Sequence, residues 1–273
     1  MKHAVIATLA SILASSTVAH AQSSAPAEAG TAPRPPRYVE PMPFDFKKDG
    51  DGWQSMFDGK TFNGWVGPME YWRIENGAIV SSSTAANPNG SVYLFWAAGD
   101  LKNFEFKTEI KLEGEGANSG VQFRAALLGK TDKKNSEWES RGYQADFDYV
   151  NEQTGALVEC CAGPRRGVPP RPFRARMGTV LRSELVPGEM PSVIGTTGDP
   201  AELKRSIHTG DWNELHLIVR GNTMFYLLNG RLMSAFIDDD AKMFVDHGRL
   251  AIQLEGRGDT KVSYRNLRLK TLP

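Results

Sequence analysis

The sequence predicts an all-β protein built from two antiparallel sheets packed face to face as a sandwich. Several segments alternate apolar and polar residues with the period of two that is typical of half-buried strands. Asn-Gly pairs, the strongest short-range signal for a hairpin, lie between apolar runs. Helical periodicity is scarce, and Gly and Pro punctuate the whole chain. Many short strands separated by turn signals are typical of a β-sandwich or barrel, and we expect the sandwich.

The individual strands follow from these patterns. Residues 103–112 ("NFEFKTEIKL") place Phe, Ile and Leu on one face and Lys and Glu on the other, as in an antiparallel strand with one solvated face. Residues 71–82 and 222–237 each contain an Asn-Gly pair and are predicted hairpins. Further predicted elements are strands at 211–221 and 261–272 and, at best, a short helix at 199–208.

The first 43 residues differ in composition from the remainder. Residues 1–21 have a basic start, an apolar stretch and the small-x-small sequence Ala19–His20–Ala21, which is the order of a secretory signal peptide; a buried N-terminal helix is the alternative. Residues 22–43 are rich in Pro and Ala and are predicted to be a linker. The remaining residues, 44–273, form a single predicted domain. We therefore expect cleavage after Ala21, a periplasmic or secreted location and no membrane span.

Charge and cysteine content exclude other classes of protein. Lys plus Arg number 32 and Asp plus Glu number 32, so the chain lacks the basic excess that is typical of nucleic-acid binders. The two cysteines, Cys160 and Cys161, are adjacent and have neither zinc-site spacing nor the pattern of a disulfide framework. They are predicted to be packing residues, with a strained vicinal disulfide as the alternative.

Two long insertions interrupt the strand pattern. Residues 129–142 are polar around Trp138, and residues 165–178 are rich in Arg and Pro. Loops of this length are usually functional or disordered.

Three predicted strands carry an unusual polar face. Side chains two residues apart lie on the same face of a strand. The shared faces are then Gln122 with Arg124, Gln144 with Asp146 and Asp148, and Gln253 with Glu255. Amides and carboxylates make paired hydrogen bonds to vicinal hydroxyls, and arginine donates in a fork. These three faces together indicate the floor of a sugar-binding cleft; an ordinary solvent-facing sheet is the alternative.

Two of these carboxylates can support glycosidase chemistry. The backbones of Asp146 and Asp148 are expected to lie roughly 6.6–6.8 Å apart along a strand. Side-chain lean then brings the carboxyls either to the roughly 5–5.5 Å spacing of a retaining glycosidase or to the larger spacing of an inverting one. The stretch "DFDYVNE" differs from the Glu-x-Asp-x-x-Glu strand of laminarinase-type glucanases, which makes a plain glucanase the third interpretation.

A series of motifs resembles the 3-keto-disaccharide hydrolase domain family. The segment "FEFKTEIKLEGEGANSGVQFRA" (104–125) resembles the family strand that is followed by Asn-Ser-Gly-Val-x-x-Arg. The other resembling segments, in chain order, are "GWQSMFDGKTFNGW" (52–65), "YWRIENGAI" (71–79), "GYQADFD" (142–148), "GALVE" (155–159) with "RR" (165–166), "DWNELHLIVRGNTMFYLLNG" (211–230) and "GRLAIQLEGRGDTKVSYRNLRLKTL" (248–272). The resemblance covers residues 52–272 and implies a concanavalin A-like jelly roll.

The resemblance also implies activity on glycosides that a separate sugar 3-dehydrogenase has already oxidised at C3. A ketone at C3 acidifies the C2 hydrogen, so that a base removes it, the C1 oxygen leaves by β-elimination, and water then adds. This route needs a general base, an acid for the leaving oxygen, and a donor or divalent metal to stabilise the enolate. A non-catalytic carbohydrate-binding domain of the same fold is the alternative function.

One position departs from the family pattern. Many members read Leu-Gln-x-His-Gly near the C-terminus, whereas this chain reads Ile252–Gln253–Leu254–Glu255–Gly256. Glu255 in place of the histidine implies a different substrate, a different division of acid and base roles, or a binding protein without catalysis.

The predicted site residues follow from the polar faces and the resemblance together. Asp146 and Glu255 are predicted acid/base or metal-ligating carboxylates with Glu159 as a third, and Arg124 is the predicted donor to the keto oxygen. Three of these residues have alternative roles. Arg124 is instead expected to form an ion pair with Asp146 or Asp148, and Asp148 is instead a structural residue at the strand end. Trp138 is instead an apolar anchor for its loop. The predicted substrate-binding residues are Gln122, Gln144, Asp148, Gln253, Trp138 and Arg165.

Overall fold

The computed structural model describes residues 49–87, 90–127, 138, 140–161, 173–183 and 190–273. The predicted signal peptide, the predicted linker and Arg165 lie outside these residues, so their roles stay predictions.

Strands account for most of the described residues. In chain order they are β1 (Gln54–Ser55), β2 (Trp65–Val66), β3 (Trp72–Glu75), β4 (Ala78–Ser83), β5 (Gly90–Trp96), β6 (Phe104–Glu113), β7 (Asn118–Leu127), β8 (Ser140–Asp148), β9 (Leu157–Cys161), β10 (Arg174–Ala175), β11 (Thr179–Arg182), β12 (Ser192–Thr196), β13 (Asn213–Arg220), β14 (Thr223–Leu228), β15 (Arg231–Ile237), β16 (Arg249–Gly256) and β17 (Thr260–Thr271). A 3-10 helix spans Met69–Tyr71, and one short α-helix, α1, spans Pro200–Lys204.

Two sheets pack against each other, which confirms the predicted all-β sandwich. The large sheet has ten strands in the order β12-β11-β15-β14-β13-β6-β17-β4-β3, with β1 beside β17. The small sheet has seven strands in the order β10-β9-β8-β7-β16-β5-β2. Among the described strands, the pair β11–β15 is parallel and the other pairs are antiparallel. The large sheet is therefore mixed, whereas the prediction was purely antiparallel.

Local sequence signals form the elements that they predict. Strand β6 alternates buried and half-buried residues along its whole length, with Phe104 and Phe106 fully buried. Both Asn-Gly pairs form hairpins in which Asn and Gly have positive φ angles, 50° and 74° at Asn76–Gly77 and 50° and 75° at Asn229–Gly230. Positive φ at both positions is the geometry of a type I′ turn, whose twist matches that of the flanking strands.

The predicted short helix is α1. Its N-cap is Asp199, whose carboxylate accepts a 3.0 Å hydrogen bond from the backbone N–H of Glu202. Pro200 occupies the first turn, where its missing N–H costs nothing. Leu203 is buried and fixes the helix against the core.

The centre of the small sheet has one apolar and one polar face. On β8, Tyr143 and Phe147 belong to the main core between the sheets. Gln144 and Asp146 alternate with them and therefore leave the opposite face. The same alternation applies to β7, which pairs with β8, and to β16, which pairs with β7. The predicted polar floor therefore lies on the side of the small sheet that faces away from the large sheet.

Candidate active site

A cavity of about 580 Å³ lies over this polar face. Strands β8 and β16 provide its floor, and the short strand β10 with the residue after it provides one wall. Its charged and amide-bearing lining residues are Asn118, Gln144, Asp146, Gln153, Glu159, Arg174, Arg176, Glu255 and Arg257. Four of the predicted site residues, Asp146, Glu255, Gln144 and Glu159, border the cavity, although the carboxylate of Glu159 is paired with Arg141.

Asp146 is the central carboxylate of the cavity. It is 4% exposed, and burial raises its pKa from 3.8 to about 6 despite two nearby donors. The amide of Gln144 donates to one carboxylate oxygen at 2.9 Å, and the guanidinium of Arg174 donates to the other at 3.0 Å. The charge of Glu255 is a further, smaller contribution that raises the pKa. Asp146 can therefore accept and release a proton near neutral pH.

A row of amides holds Asp146 in place. The Nε2 of Gln144 also donates to Oε1 of Gln253 at 3.0 Å, so that the side chain of Gln144 crosses the intervening strand β7. Gly120 lies at the crossing point, where an added Cβ would come within 3.1 Å of Nε2 of Gln144. Gln253 in turn donates to the hydroxyls of Ser91 at 2.9 Å and Tyr93 at 3.2 Å. The glycine of the Asn-Ser-Gly-Val stretch is thus required for the reach of Gln144.

Glu255 lies in the cavity next to a cation. Its side chain is 19% exposed and forms an ion pair with Arg257, two residues further along the chain. Asn118 is the cross-strand partner of both Glu255 and Asp148, and therefore lies between the two outer strands of this floor. The position where the family resemblance implies a histidine thus presents an arginine-paired carboxylate.

Glu159 borders the cavity, but its carboxylate is engaged elsewhere. It accepts hydrogen bonds from Nε and Nη2 of Arg141 at 3.0 and 2.8 Å, and both side chains are almost fully buried. Glu159 is the cross-strand partner of Tyr143, whose ring contacts Phe236 of the large sheet. The side chain of Glu159 therefore leaves the sheet on the core side, opposite Asp146. The structure does not bring it together with the other two carboxylates as the predicted catalytic set requires.

Arg124 lies away from the cavity, contrary to the predicted shared face with Gln122. A bulge follows Phe123 in β7, and Arg124 has a φ of 47°, so the alternation of faces is broken at this residue. Its guanidinium donates to the carbonyl oxygens of Lys102, Val245 and Gly221 at 2.7–3.2 Å. This arginine ties together loops at the end of the sandwich, and neither the predicted donor role nor the alternative ion pair matches that placement.

Gln122 and Gln253 lie beneath the accessible surface of the floor. Both are fully buried. Gln122 donates to the carbonyl of Cys160 at 3.0 Å and accepts from the hydroxyl of Ser140. Because their polar atoms are already bonded within the protein, these amides support the floor, and among the three predicted glutamines Gln144 is the one that lines the cavity.

Asp148 and Trp138 occupy the positions of their alternative roles. The carboxylate of Asp148 accepts from the backbone N–H groups of Gln153 at 2.8 Å and Thr154 at 2.7 Å, which closes the turn after β8. The ring of Trp138 stacks on Phe95 with centroids 6.2 Å apart and packs on a small apolar cluster. Asp148 is thus placed as a structural residue at the strand end, and the Trp138 ring packs on the protein's own apolar side chains.

The sequence interpretation missed the arginines of the cavity. Arg174 and Arg176 flank Ala175, which is fully buried, and Phe173 before them is also buried. This alternation was present within the insertion at 165–178 and could have indicated a short strand. Arg257 stands two residues after Glu255 and could have been placed on the same face.

Three further findings for the described residues concern membrane-spanning helices, metal sites and Cys160. No helix in the described part of the chain is long and apolar enough to cross a membrane. Within the same residues, no group of three His, Cys, Asp or Glu side chains is placed to hold a metal ion. Cys160 is buried in a small apolar cluster, as predicted for a packing residue, and it is also disulfide-bonded, as in the alternative.

Comparisons with known proteins agree with this fold. A 3-keto-disaccharide hydrolase of Bacteroides thetaiotaomicron is 36% identical over 99 residues, which is 33% of this chain and 33% of the relative's length. Among solved structures, a candidate glycosyl hydrolase of Parabacteroides distasonis has a TM-score of 0.50 at 18% identity, covering 85% of this chain and 99% of that one. A carbohydrate-binding module of Bacillus subtilis has a TM-score of 0.45 at 13% identity, covering 81% and 96%.

At 18% identity the Parabacteroides structure supports the fold alone. The matching segment spans a third of the length of the Bacteroides relative. The family follows from a different observation, because a single family model matches residues 52–270 and thus includes every strand of the cavity floor. The chain belongs to the 3-keto-alpha-glucoside-1,2-lyase-like domain family, as the ordered motifs predict.

Proposed function

We propose that this protein cleaves glycosides that are already oxidised to a ketone at C3, with Asp146 as the acid/base residue. The observation that carries the proposal is the buried Asp146 carboxylate, which lines the cavity and has a pKa raised to about 6. A general acid/base is most effective when its pKa is near the working pH. Membership of the family and the name of the Bacteroides relative support the same substrate class.

The first half of the reaction is an elimination. Ionised Asp146 takes the proton from C2, and the C–H electron pair forms an enolate with the C3 ketone. Arg174, bonded to Asp146 at 3.0 Å, donates to the enolate oxygen on the adjacent carbon. The enolate then reforms the ketone, the C1–O bond breaks, and its electron pair leaves with the oxygen, which takes the proton back from Asp146. The products are an alcohol and a 1,2-unsaturated 3-keto sugar.

The second half is hydration. Glu255 accepts a proton from water as the water oxygen adds to C1 and an enolate forms, and it then returns that proton to C2, which restores the ketone and the ionised Glu255. The net reaction is hydrolysis of the glycosidic bond. In this scheme Arg174 takes the role that the sequence interpretation gave to Arg124, because Arg174 lines the cavity and Arg124 is bonded to three carbonyl groups elsewhere.

The proposal includes a location and a preceding enzyme. The signal-peptide pattern of residues 1–21 supports export to the periplasm or beyond. The C3 ketone must come from a separate sugar 3-dehydrogenase, because hydrolysis neither makes nor consumes an oxidised carbon.

Release of nitrophenol tests the proposal directly. The purified protein is assayed with 4-nitrophenyl 3-keto-glucoside and with the unoxidised glucoside, each with and without a chelator. We expect release from the keto sugar only, with kcat/KM rising as pH increases through about 6, because the base must be ionised. The variant Asp146→Asn is expected to lose at least about a hundredfold in kcat, the lower range for general acid/base catalysis. Arg182→Gln removes an arginine that pairs with Asp239 outside the cavity and is the matched control.

Release from the unoxidised glucoside at a similar rate, or full activity of Asp146→Asn, would contradict the keto-dependent mechanism. Loss of release on chelation would add a metal to the mechanism.

A non-catalytic carbohydrate-binding domain is the second candidate. The observation that favours it is the ion pair of Glu255 with Arg257 at the position where the family resemblance implies a histidine. On this alternative, sugar binding is measurable by calorimetry, nitrophenol is released from neither substrate, and Asp146→Asn changes affinity alone.

A further inference from the structure

Three arginines and three carboxylates of the described residues border the cavity, but one of these carboxylates is paired with an arginine from outside the cavity. Each of the three carboxylates has an arginine as its ion-pair partner. The pairs are Asp146 with Arg174 at 3.0 Å, Glu159 with Arg141 at 2.8 Å, and Glu255 with Arg257. Each of these three carboxylates therefore already has a countercharge within the protein.

Arg176 is an additional cation at the edge of the same cavity. It is exposed, and in the described part of the chain no acidic side chain lies within ion-pair distance of its guanidinium. Its backbone is held firmly, because its carbonyl accepts bonds from both the N–H and the hydroxyl of Thr179, at 3.0 and 2.7 Å. The side chain therefore extends from a fixed turn into the cavity opening.

The position of Arg176 relative to Asp146 follows from strand geometry. Arg174 and Arg176 lie on either side of the buried Ala175, so their side chains leave the same side of an extended segment. Two residues of extended chain span roughly 7 Å. Because Arg174 contacts Asp146, Arg176 lies about one such step from Asp146 along the cavity wall, within reach of a group attached to a sugar bound at Asp146.

We propose that Arg176 recognises a carboxylate on the group attached to the leaving oxygen, so that the preferred substrates are glycosides of acidic aglycones or acidic neighbouring sugars. This inference rests on the proposed function, since the same cavity must bind the glycoside. A guanidinium donates two parallel hydrogen bonds to a carboxylate, a geometry that neutral hydroxyls do not match. One surplus positive charge suits a carboxylate better than a phosphate, which carries about −1.5 to −2 at neutral pH.

Two aryl glucosides of nearly equal shape test the proposal. The probes are 4-carboxyphenyl glucoside and the neutral 4-carbamoylphenyl glucoside, titrated calorimetrically into the wild-type protein, Arg176→Gln and Arg205→Gln. Arg205 is an exposed arginine paired with Glu202 outside the cavity and is the matched control. We expect the carboxylate to bind about tenfold more tightly in the wild type and in the control, the lower range for hydrogen bonds to charged groups. We expect that preference to disappear in Arg176→Gln.

Equal affinities of the wild-type protein for the two glucosides, or a preference for the carboxylate that survives Arg176→Gln, would overturn this inference. The nitrophenol assay on the neutral keto sugar separates its failure from that of the proposed function. Release without a carboxylate preference refutes the inference alone. Equal binding of both probes without release refutes it and favours the non-catalytic domain. Neither release nor binding refutes both proposals.

Discussion

At the residue scale, Asp146 combines a functional advantage with a cost in stability. Its carboxylate has two donors, Gln144 and Arg174, yet burial outweighs both and raises the pKa to about 6. The ionised form that the proposed mechanism uses is therefore the form that the folded protein disfavours. Active sites commonly store such a cost, which the rest of the fold must offset.

This cost predicts a pH-dependent effect of Asp146→Asn on stability. The pKa is higher in the folded protein than in the unfolded chain, so folding takes up a proton between pH of about 4 and 6 and this group lowers stability as pH rises. The amide that replaces the carboxylate in the variant cannot ionise. The free energy of unfolding of the variant minus that of the wild type should therefore increase by roughly 2 kcal/mol from pH 4 to pH 7. Urea denaturation at both pH values measures it, and a difference that is constant with pH would show that burial does not raise this pKa.

Arg124 is structural at the residue scale, and its substitution separates that role from the predicted catalytic one. Removing the guanidinium leaves three partly buried carbonyl oxygens without this donor. We expect Arg124→Met to lower the free energy of unfolding by about 1–3 kcal/mol, because these hydrogen bonds to a charged group are lost while water can reach part of the freed oxygens. Turnover per folded molecule should stay near the wild-type value in assays well below the melting temperature. A variant with normal stability and no turnover would restore Arg124 as a catalytic donor.

At the element scale, the two Asn-Gly hairpins fix the register of the large sheet. Positive φ at Gly230 costs a glycine nothing but costs a residue with a Cβ about 1–2 kcal/mol. Gly230 is a clean test of this cost because an added Cβ would meet no atom within 4 Å.

We expect Gly230→Ala to lower the free energy of unfolding by about 1–2 kcal/mol through backbone strain alone. Gly50→Ala is the matched control, since an added Cβ also meets nothing there and Gly50 does not have a positive φ. Chemical denaturation of both variants measures the difference. Equal stabilities would mean that the hairpin tolerates another turn geometry.

At the scale of the whole molecule, one sandwich positions the cavity, and every described strand belongs to one of its two sheets. Asp49, close to the predicted start of the domain, forms an ion pair with Arg268 in β17. We therefore expect the folding domain to lie within residues 44–273, and the Pro-rich residues 22–43 to contribute little to its stability.

Thermal unfolding of proteins spanning 22–273 and 44–273 tests this domain boundary. The two melting temperatures should agree within about 2 °C, because 1 kcal/mol shifts the melting temperature of a domain of this size by about 2–4 °C. A larger drop for the shorter protein would show that residues 22–43 pack against the sandwich.

The sequence by itself determined those features that depend on neighbours along the chain. Alternation in β6, the positive-φ hairpins at Asn76 and Asn229, and the cap at Asp199 are local, because each depends on residues within a few positions. The ordered motifs likewise identified the family, and the polar faces of β8 and β16 identified Asp146, Gln144 and Glu255 as cavity residues.

Only the tertiary structure decided which side chains face the cavity and which are already occupied. The bulge in β7 turned Arg124 away from the floor, and strand pairing placed Glu159 on the core side with Arg141. Arg174 reached Asp146 from 28 residues away along the chain. The alternation of apolar and polar residues predicts faces only for an unbroken strand, and it does not predict cross-strand partners. The burial that raises the pKa of Asp146 therefore arises only when distant segments pack together. The same holds for the ion pairs that leave Arg176 as the additional cation.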